Sequence, residues 1–183
     1  VCLRLGHRSR PADETVPASA PPAAYDVGIS SPEDFSNDLR RRLSDWRSGG
    51  APLCVLLVQI DDLEAIRQQY SEENCDAMLR ALTLTLKASM REIDHAARFE
   101  GQVLSLLLPG ATLPGAIAMA ERLRGAAGRC QLPPRFEERQ FTVSIGVAEA
   151  QHDEDEIQLI ERVKDSLTVA HMHGRDCTYV HDG

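Results

Sequence analysis

The pattern of hydrophobic and polar positions predicts strands and helices that alternate along most of the chain. Residues 53–60 are apolar except for Gln59, a pattern that is typical of a strand buried on both faces. Residues 141–148 are rich in β-branched side chains and predict a second buried strand. Helical spacing of apolar residues fills the intervals, so the predicted order is helix, β, α, α, β, β, α, β, α and β.

The first helix has a local start signal. Ser31 is a candidate cap, Pro32 suits the first turn, and Glu33 and Asp34 favour the positive end of the helix dipole. The apolar residues that follow recur on one helical face: Phe35, Leu39, Leu43 and Trp46. We therefore expect this helix to pack against the sheet.

Other acidic residues also predict helix starts. We expect Asp61 and Asp62 to begin the helix after the first strand, and the acidic run at residues 153–156 to begin the last helix in solvent. The central strands should supply the core, through Leu56, Val58, Leu106, Leu108, Val143 and Ile145.

Strands and helices that alternate around an antiparallel hairpin predict one α/β domain. Its central sheet should be mostly antiparallel, with helices on both faces. Residues 32–183 form this domain. Residues 1–31, rich in Pro, Ala and Ser, are predicted to be a flexible linker or juxtamembrane segment.

Composition narrows the classes of function. The net charge of −8 argues against non-specific binding to nucleic acid. Scattered cysteines without a CxxC pair indicate free thiols in a reducing compartment. The five cysteines are Cys2, Cys54, Cys75, Cys130 and Cys177.

The start of the chain bears on where the protein resides. Basic residues among positions 1–10 are typical of the flank of a membrane helix. We therefore expect a cytoplasmic domain that an upstream segment tethers to the inner membrane. A trimmed soluble protein is the alternative.

Four segments, in order, resemble the GGDEF domain, the diguanylate cyclase fold related to nucleotide cyclases. Residues 56–63 (LLVQIDDL) match its first strand, and residues 98–104 (RFEGQVL) match its signature turn. Residues 141–148 (FTVSIGVA) and 170–176 (AHMHGRD) match a later strand and the segment near its end. The resemblance runs from about residue 33 to 181 and implies the fold of a single GGDEF-type domain.

The same resemblance implies chemistry that this chain lacks. The family joins two GTP molecules, and magnesium held by carboxylates offsets the negative charge on the phosphates. The two carboxylate positions of the family are Gln59 and Gln102 here. A neutral amide does not balance the charge of the metal.

Further positions of the family's substrate site also differ. Glu100 replaces the first glycine of the turn, Val103 replaces an acid, Arg67 replaces a guanine-binding Asn, and His171 replaces a phosphate-binding Lys. The resemblance thus implies a vestigial substrate site formed by Gln59, Asp76, Glu100, Gly101, Gln102 and Arg175. Of these, Asp76 retains the family's guanine contact and Arg175 its phosphate contact, with surface or capping roles as the alternative.

A second family site is better preserved. An R-x-x-D motif that ends five residues before the signature turn binds cyclic di-GMP in the family, and Arg91 and Asp94 match it. Arg122 aligns with an arginine that completes the site. Arginine offers a planar fork to guanine or phosphate, and a carboxylate accepts from guanine N–H groups. An ion pair between Arg91 and Asp94 is the alternative.

These residues predict a catalytically inactive GGDEF domain that acts as a regulatory module in bacterial signalling, without a cofactor. Cyclic di-GMP at the R-x-x-D site, a protein partner and a second copy of the chain are the expected partners. Two alternatives stay open. One is an active, magnesium-dependent diguanylate cyclase that makes cyclic di-GMP from GTP, and the other is a ligand-free scaffold for protein interaction.

Overall fold

A computed structural model describes residues 28–69, 72–130 and 141–181. Within these ranges the elements follow the predicted order. Their bounds are α1 Pro32–Arg47, β1 Leu53–Ile60, α2 Leu63–Gln69, α3 Glu72–Ser89, β2 His95–Arg98, β3 Leu104–Pro109, α4 Leu113–Ala127, β4 Val143–Glu149, α5 Glu156–Met172 and β5 Thr178–His181.

The five strands form one sheet in the order β2-β3-β1-β4-β5. The central strand β1 is antiparallel to both of its neighbours, with Leu56 opposite Leu106 on β3 and Val147 on β4. Strand β5 pairs in parallel with β4 at the far edge. This arrangement confirms the mostly antiparallel sheet.

Helices cover both faces of the sheet because side chains along β1 alternate between them. Leu56, Val58 and Ile60 pack in a core with residues of α2, α3 and α4. Val55 and Leu57 face a second core with residues of α1 and α5. All six residues expected in the central-strand core are buried, which confirms that prediction.

Local signals place the start of α1 as expected. The Ser31 hydroxyl accepts from the backbone N–H of Asp34 at 3.1 Å, and the carboxylate of Asp34 accepts from the backbone N–H of Ser31 at 3.3 Å. This reciprocal capping box satisfies N–H groups that the first helical turn leaves unpaired.

Two predictions for acidic residues were wrong. The Asp61 carboxylate is buried and faces β4 and the turn before β5, instead of stabilising the start of α2. In the acidic run, Asp155 does cap α5, but Glu154 is buried and pairs with Arg162 at 2.7 Å. At Asp61, partners 81 to 115 residues away outweigh the helix dipole. At Glu154, the ion pair with Arg162 on α5 outweighs solvation.

The predicted linker differs from the structure at its last residues. Ser30 forms a parallel bridge with Ala97 of β2, through hydrogen bonds of 3.0 Å to the Ala96 carbonyl and from the Arg98 N–H. Residues 1–27, which include the basic segment, lie outside the described residues. Within the described ranges, no helix combines the length and apolar character needed to cross a membrane.

Candidate functional site

The end of β1 opens into a cleft between the signature turn and α5. Gln59 and His171 border both of two adjoining cavities, of about 210 Å³ and about 510 Å³. Glu100 lines the smaller cavity, while Gln102 and Arg175 line the larger one. We call these two cavities together the signature-turn cleft.

The turn itself is a tight hairpin between β2 and β3. Gly101 lies at its bend with a φ of 55°, a backbone conformation that glycine adopts without steric cost. The N–H of Val103 donates to the Glu100 carbonyl at 2.9 Å and closes the turn. The two polar side chains beside Gly101 thereby reach different parts of the cleft.

Glu100 is joined to α5 across the smaller cavity. Its carboxylate accepts from Lys164 Nζ at 2.7 Å, and the ammonium lies 5.1 Å from the centre of the Phe99 ring. The exposed ion pair adds little stability, but it places a negative side chain where the family has glycine. The sequence could have predicted that Lys164 reaches this cleft, because Lys164, Thr168 and His171 share one helical face.

The side-chain amide of Gln102 contacts the guanidinium of Arg67. In the orientation that satisfies both groups, its oxygen accepts from Arg67 Nη1 at 3.2 Å. Arg67 also pairs with Glu64 at 3.4 Å and with Glu72 at 3.6 Å. A guanidinium therefore lies beside the position where the family places a metal carboxylate.

The remaining predicted residues of the substrate site are only partly brought together. Arg175 pairs with Asp62 at 3.2 Å, and both residues have positive φ. Asp76 is half-buried on α3 and lines neither cavity of the signature-turn cleft. Of the two substrate contacts that the sequence retains, only Arg175 reaches the cleft.

Asp61 lies near the cleft but is already fully engaged. Its oxygens accept from Thr142 Oγ1 at 2.7 Å, from Ser144 Oγ at 2.7 Å and from the backbone N–H of Asp176 at 3.0 Å. His171 Nε2 lies 3.8 Å from the same carboxylate. These bonds make Asp61 a structural anchor.

The residues of the cleft do not fit magnesium. Magnesium binds proteins through one or two carboxylates together with waters and substrate phosphates. At the two positions where the family has these carboxylates, Gln59 and Gln102 are neutral, and Arg67 adds positive charge beside Gln102. Within the described parts of the chain, no three His, Cys, Asp or Glu side chains are grouped to hold a metal ion.

A separate cavity of about 300 Å³ brings together Arg91, Asp94 and Arg122. It lies between the turn after α3, the end of β3 and the first half of α4. We call it the arginine cavity. All three residues predicted for the cyclic di-GMP site line it, although Arg122 is far from the other two in sequence.

Arg91 and Asp94 form a close ion pair in a tight turn. Arg91 Nη2 donates to Asp94 Oδ1 at 2.9 Å, and the backbone N–H of Arg91 donates to Oδ2 at 2.7 Å. The Asp94 side chain is 2% exposed, whereas that of Arg91 is 52% exposed. Arg122 Nη2 donates to the Ser89 carbonyl at 3.0 Å, so the protein holds both guanidinium groups at the cavity.

Comparison with known proteins identifies one family. A family model described as "Diguanylate cyclase, GGDEF domain" matches residues 28–177. The diguanylate cyclase DgcM of Escherichia coli K12 is 35% identical over 124 residues, which cover 67% of this chain. The aligned region spans only 29% of the length of DgcM.

Solved structures of GGDEF-domain proteins have the same fold as this chain. The coiled coil and GGDEF domain of DgcB from Caulobacter crescentus, in complex with c-di-GMP, has a TM-score of 0.79 at 20% identity over 84% of this chain and 82% of that one. The diguanylate cyclase SiaD from Pseudomonas aeruginosa, in complex with its activator SiaC, also has a TM-score of 0.79, at 23% identity over 84% and 59% of the two chains.

Proposed function

This chain belongs to the GGDEF domain family, and from that premise we propose that it is a catalytically silent member that serves cyclic di-GMP signalling as a regulatory module. The observation that carries the proposal is the contrast between its two sites. The signature-turn cleft has Gln59 and Gln102 where the family has metal carboxylates, whereas the arginine cavity groups Arg91, Asp94 and Arg122.

Charge is the main reason to expect no catalysis. Phosphoryl transfer builds negative charge on the phosphate oxygens, and this charge must be offset at the site. The cleft instead presents Glu100 and Asp62, each paired with one of the cations that a triphosphate would need. A nucleotide would therefore have to compete with carboxylates of the protein for Lys164 and Arg175.

Charge also supports the arginine cavity as the ligand site. Cyclic di-GMP carries two phosphodiesters and two purines, and arginine binds both phosphate oxygens and purine edges. Arg91 and Arg122 line the cavity, and Asp94, the only acid among the described residues that line it, is paired with Arg91. No metal takes part in this binding.

The test is a calorimetric titration of cyclic di-GMP into the protein, with magnesium and with a chelator. We expect a dissociation constant in the micromolar range, about −8 kcal/mol, that is the same in both buffers. Arg91→Ala and Arg122→Ala should each weaken binding by at least ~1.5 kcal/mol, because a charge-assisted contact is lost.

Arg80→Ala is the matched control, because Arg80 is an exposed arginine of α3 that does not line the cavity. Its affinity should equal that of the unmodified protein. Absence of binding at high ligand concentration would favour the scaffold alternative. Binding that survives Arg91→Ala would place the ligand elsewhere.

Catalysis is tested by incubating the protein with GTP and either magnesium or manganese. We expect no cyclic di-GMP above the level of a blank without protein. The double variant Gln59→Asp/Gln102→Glu should also stay silent, because Glu100, Val103 and Arg67 remain. Steady product formation by the unmodified protein would establish the active-cyclase alternative.

A further inference from the structure

The segment that leads into α1 is fixed to the edge of the sheet. Residues 28–30, which we call the entry segment, reach β2, the edge strand. The Ser30 N–H donates to the Ala96 carbonyl at 3.0 Å, and the Ser30 carbonyl accepts from the Arg98 N–H at 3.0 Å. Ile29 packs against the core on one face of the sheet. The backbone bonds satisfy groups that an edge strand otherwise exposes.

A series of side chains holds Ser30 in this position. The Ser30 hydroxyl lies 2.6 Å from His95 Nε2, and His95 Nδ1 lies 3.0 Å from Asp38 Oδ2. Because a carboxylate only accepts, Nδ1 carries a proton, and in the neutral ring Nε2 accepts from the Ser30 hydroxyl. Arg42 Nε donates to the same Asp38 oxygen at 2.8 Å and orients the carboxylate. We call Ser30, His95 and Asp38 the entry relay.

The bonds of the entry segment reach the first residue of the signature turn. Arg98, which donates to Ser30, ends β2 and begins the segment RFEGQVL. The N–H of the next residue, Phe99, donates to the Val103 carbonyl at 3.0 Å. The Phe99 ring packs edge-on against Phe35 of α1, with 5.8 Å between ring centres. The entry segment and the start of α1 therefore both contact the base of the turn.

We propose that the entry relay is a clasp that couples the chain ahead of Gly28 to the signature turn. While Ser30 is held, the Arg98 N–H is paired, and the pairing of β2 with β3 is supported up to the turn. If a movement of the preceding chain draws Ser30 away, Arg98 loses its partner at the point where the turn begins. The hairpin then opens more often, and with it the wall of the signature-turn cleft.

The position of the relay makes this coupling local. Ser30 and His95 are only partly buried and lie at the edge of the sheet, whereas β1 lies at its centre, between β3 and β4. Loss of the relay should therefore loosen β2 and the turn before it affects β1. The clasp adds an input to the proposed regulatory role and does not depend on ligand binding.

Hydrogen–deuterium exchange of backbone amides, followed by NMR on the full chain without ligand, tests the clasp. We expect Ser30→Ala to speed exchange of the Phe99 and Val103 N–H groups by about threefold to fivefold, the effect of one lost hydrogen bond on a local opening. Exchange of the Leu57 N–H in β1 should change by less than about twofold. His95→Phe should reproduce this selective effect, and Ser30→Thr, which keeps the hydroxyl, should retain the protection.

Ser48→Ala is the matched control, because the Ser48 hydroxyl donates to the Ser44 carbonyl at 3.0 Å at the opposite end of α1. It should leave exchange at the signature turn unchanged. Unchanged exchange at the turn in Ser30→Ala would overturn the inference. An equal acceleration in β1 would also overturn it, because the relay would then add only global stability. If His95→Phe does not fold, Ser30→Ala decides, and neither result bears on the affinity for cyclic di-GMP that tests the proposed function.

Discussion

At the scale of single residues, Asp61 shows how one buried carboxylate joins distant parts of the chain. It follows β1, accepts from Thr142 and Ser144 at the start of β4, and accepts from the N–H of Asp176 before β5. Asp176 has a φ of 45°, in the left-handed region. The Asp61 carboxylate therefore helps to hold an unfavourable backbone conformation beside the signature-turn cleft.

Replacing this carboxylate should destabilise the domain. We expect Asp61→Asn to lower the free energy of unfolding by ~1–3 kcal/mol, because an amide cannot accept from all three donors. Urea denaturation measures the change. The matched control is the neighbouring Asp62→Asn, whose exposed ion pair with Arg175 should contribute less than ~0.5 kcal/mol. Equal losses for the two variants would contradict the anchoring role of Asp61.

Cys54 is a second residue whose chemistry follows from burial. It lies in the centre of the sheet with no exposed surface, and its thiol donates to the Ala111 carbonyl at 3.2 Å. Burial, with a smaller effect of the charge of Glu149, raises the pKa of Cys54 to about 12. The thiol should therefore stay protonated at ordinary pH.

We expect Cys54 to resist iodoacetamide in the native protein at about pH 8, because the thiolate is the reactive form and the side chain is enclosed. Peptide mass spectrometry after native and denaturing alkylation would measure this. Cys54 should be labelled only after denaturation. Fast labelling in native buffer would show that this part of the sheet opens locally.

At the scale of elements, β4 and α5 pack with their backbones close together at Gly146. A Cβ atom placed on Gly146 would lie 2.5 Å from the Leu167 N and 2.5 Å from the Val163 O of α5. Both are backbone atoms, so no side-chain rotation relieves the overlap. The absence of a side chain at Gly146 therefore lets α5 approach the sheet, and α5 supplies Lys164 and His171 to the cleft.

Adding a methyl group here should displace the helix. We expect Gly146→Ala to lower the free energy of unfolding by ~2–4 kcal/mol, as overpacking against a rigid backbone does. The matched control is Gly115→Ala in α4, where the nearest atom to a new Cβ lies 3.7 Å away. That change should be neutral or stabilising by up to ~1 kcal/mol, since alanine favours helix over glycine.

Thermal and urea denaturation of both variants give the comparison. A Gly146→Ala variant as stable as the unmodified protein would mean that α5 is able to move away from β4 without cost. In that case the spacing of the signature-turn cleft would be set by the loops at the two ends of the helix.

At the scale of the whole molecule, the excess of 28 acidic over 20 basic residues links stability to pH. Asp38 illustrates the balance, because it pairs with Arg42 of the same helix at 2.8 Å and with His95 of β2 at 3.0 Å. Burial raises the pKa of Asp38, but hydrogen bonds from Arg42 and Arg41 outweigh burial and leave the pKa below its ordinary value of 3.8.

The lowered pKa of Asp38 determines how its contribution to stability changes with pH. A carboxyl whose pKa is lowered by folding stabilises the native state above its unfolded pKa and loses that contribution as the pH falls through its folded pKa. The difference in unfolding free energy between the unmodified protein and Asp38→Asn should therefore be largest above about pH 5 and shrink below about pH 4. Denaturant titrations across this interval measure it.

Asp153→Asn is the control for this series, because Asp153 is exposed in the loop before α5. Its effect on stability should be close to zero at every pH. If the difference in unfolding free energy between the unmodified protein and Asp38→Asn were constant across this pH interval, the contacts of Asp38 would stabilise the protein independently of its charge.

The sequence by itself determined the elements and their order. The apolar run of β1, the β-branched run of β4 and the capping box at Ser31 are short-range signals that act wherever the chain folds. The resemblance to a known family added the layout of the sheet and the residues Arg91, Asp94 and Arg122. All three residues line one cavity in the structure, and a binding role for them stays a prediction.

Only the tertiary structure decided what the charged residues do. Glu100 pairs with Lys164 across 64 positions, and Asp61 accepts from Asp176 across 115. The burial of Asp94 and Glu154 likewise depends on elements that pack over them. A carboxylate can cap a helix, hold a metal or anchor a turn, and the choice depends on which donors folding brings within about 3 Å, a distance that local sequence does not encode.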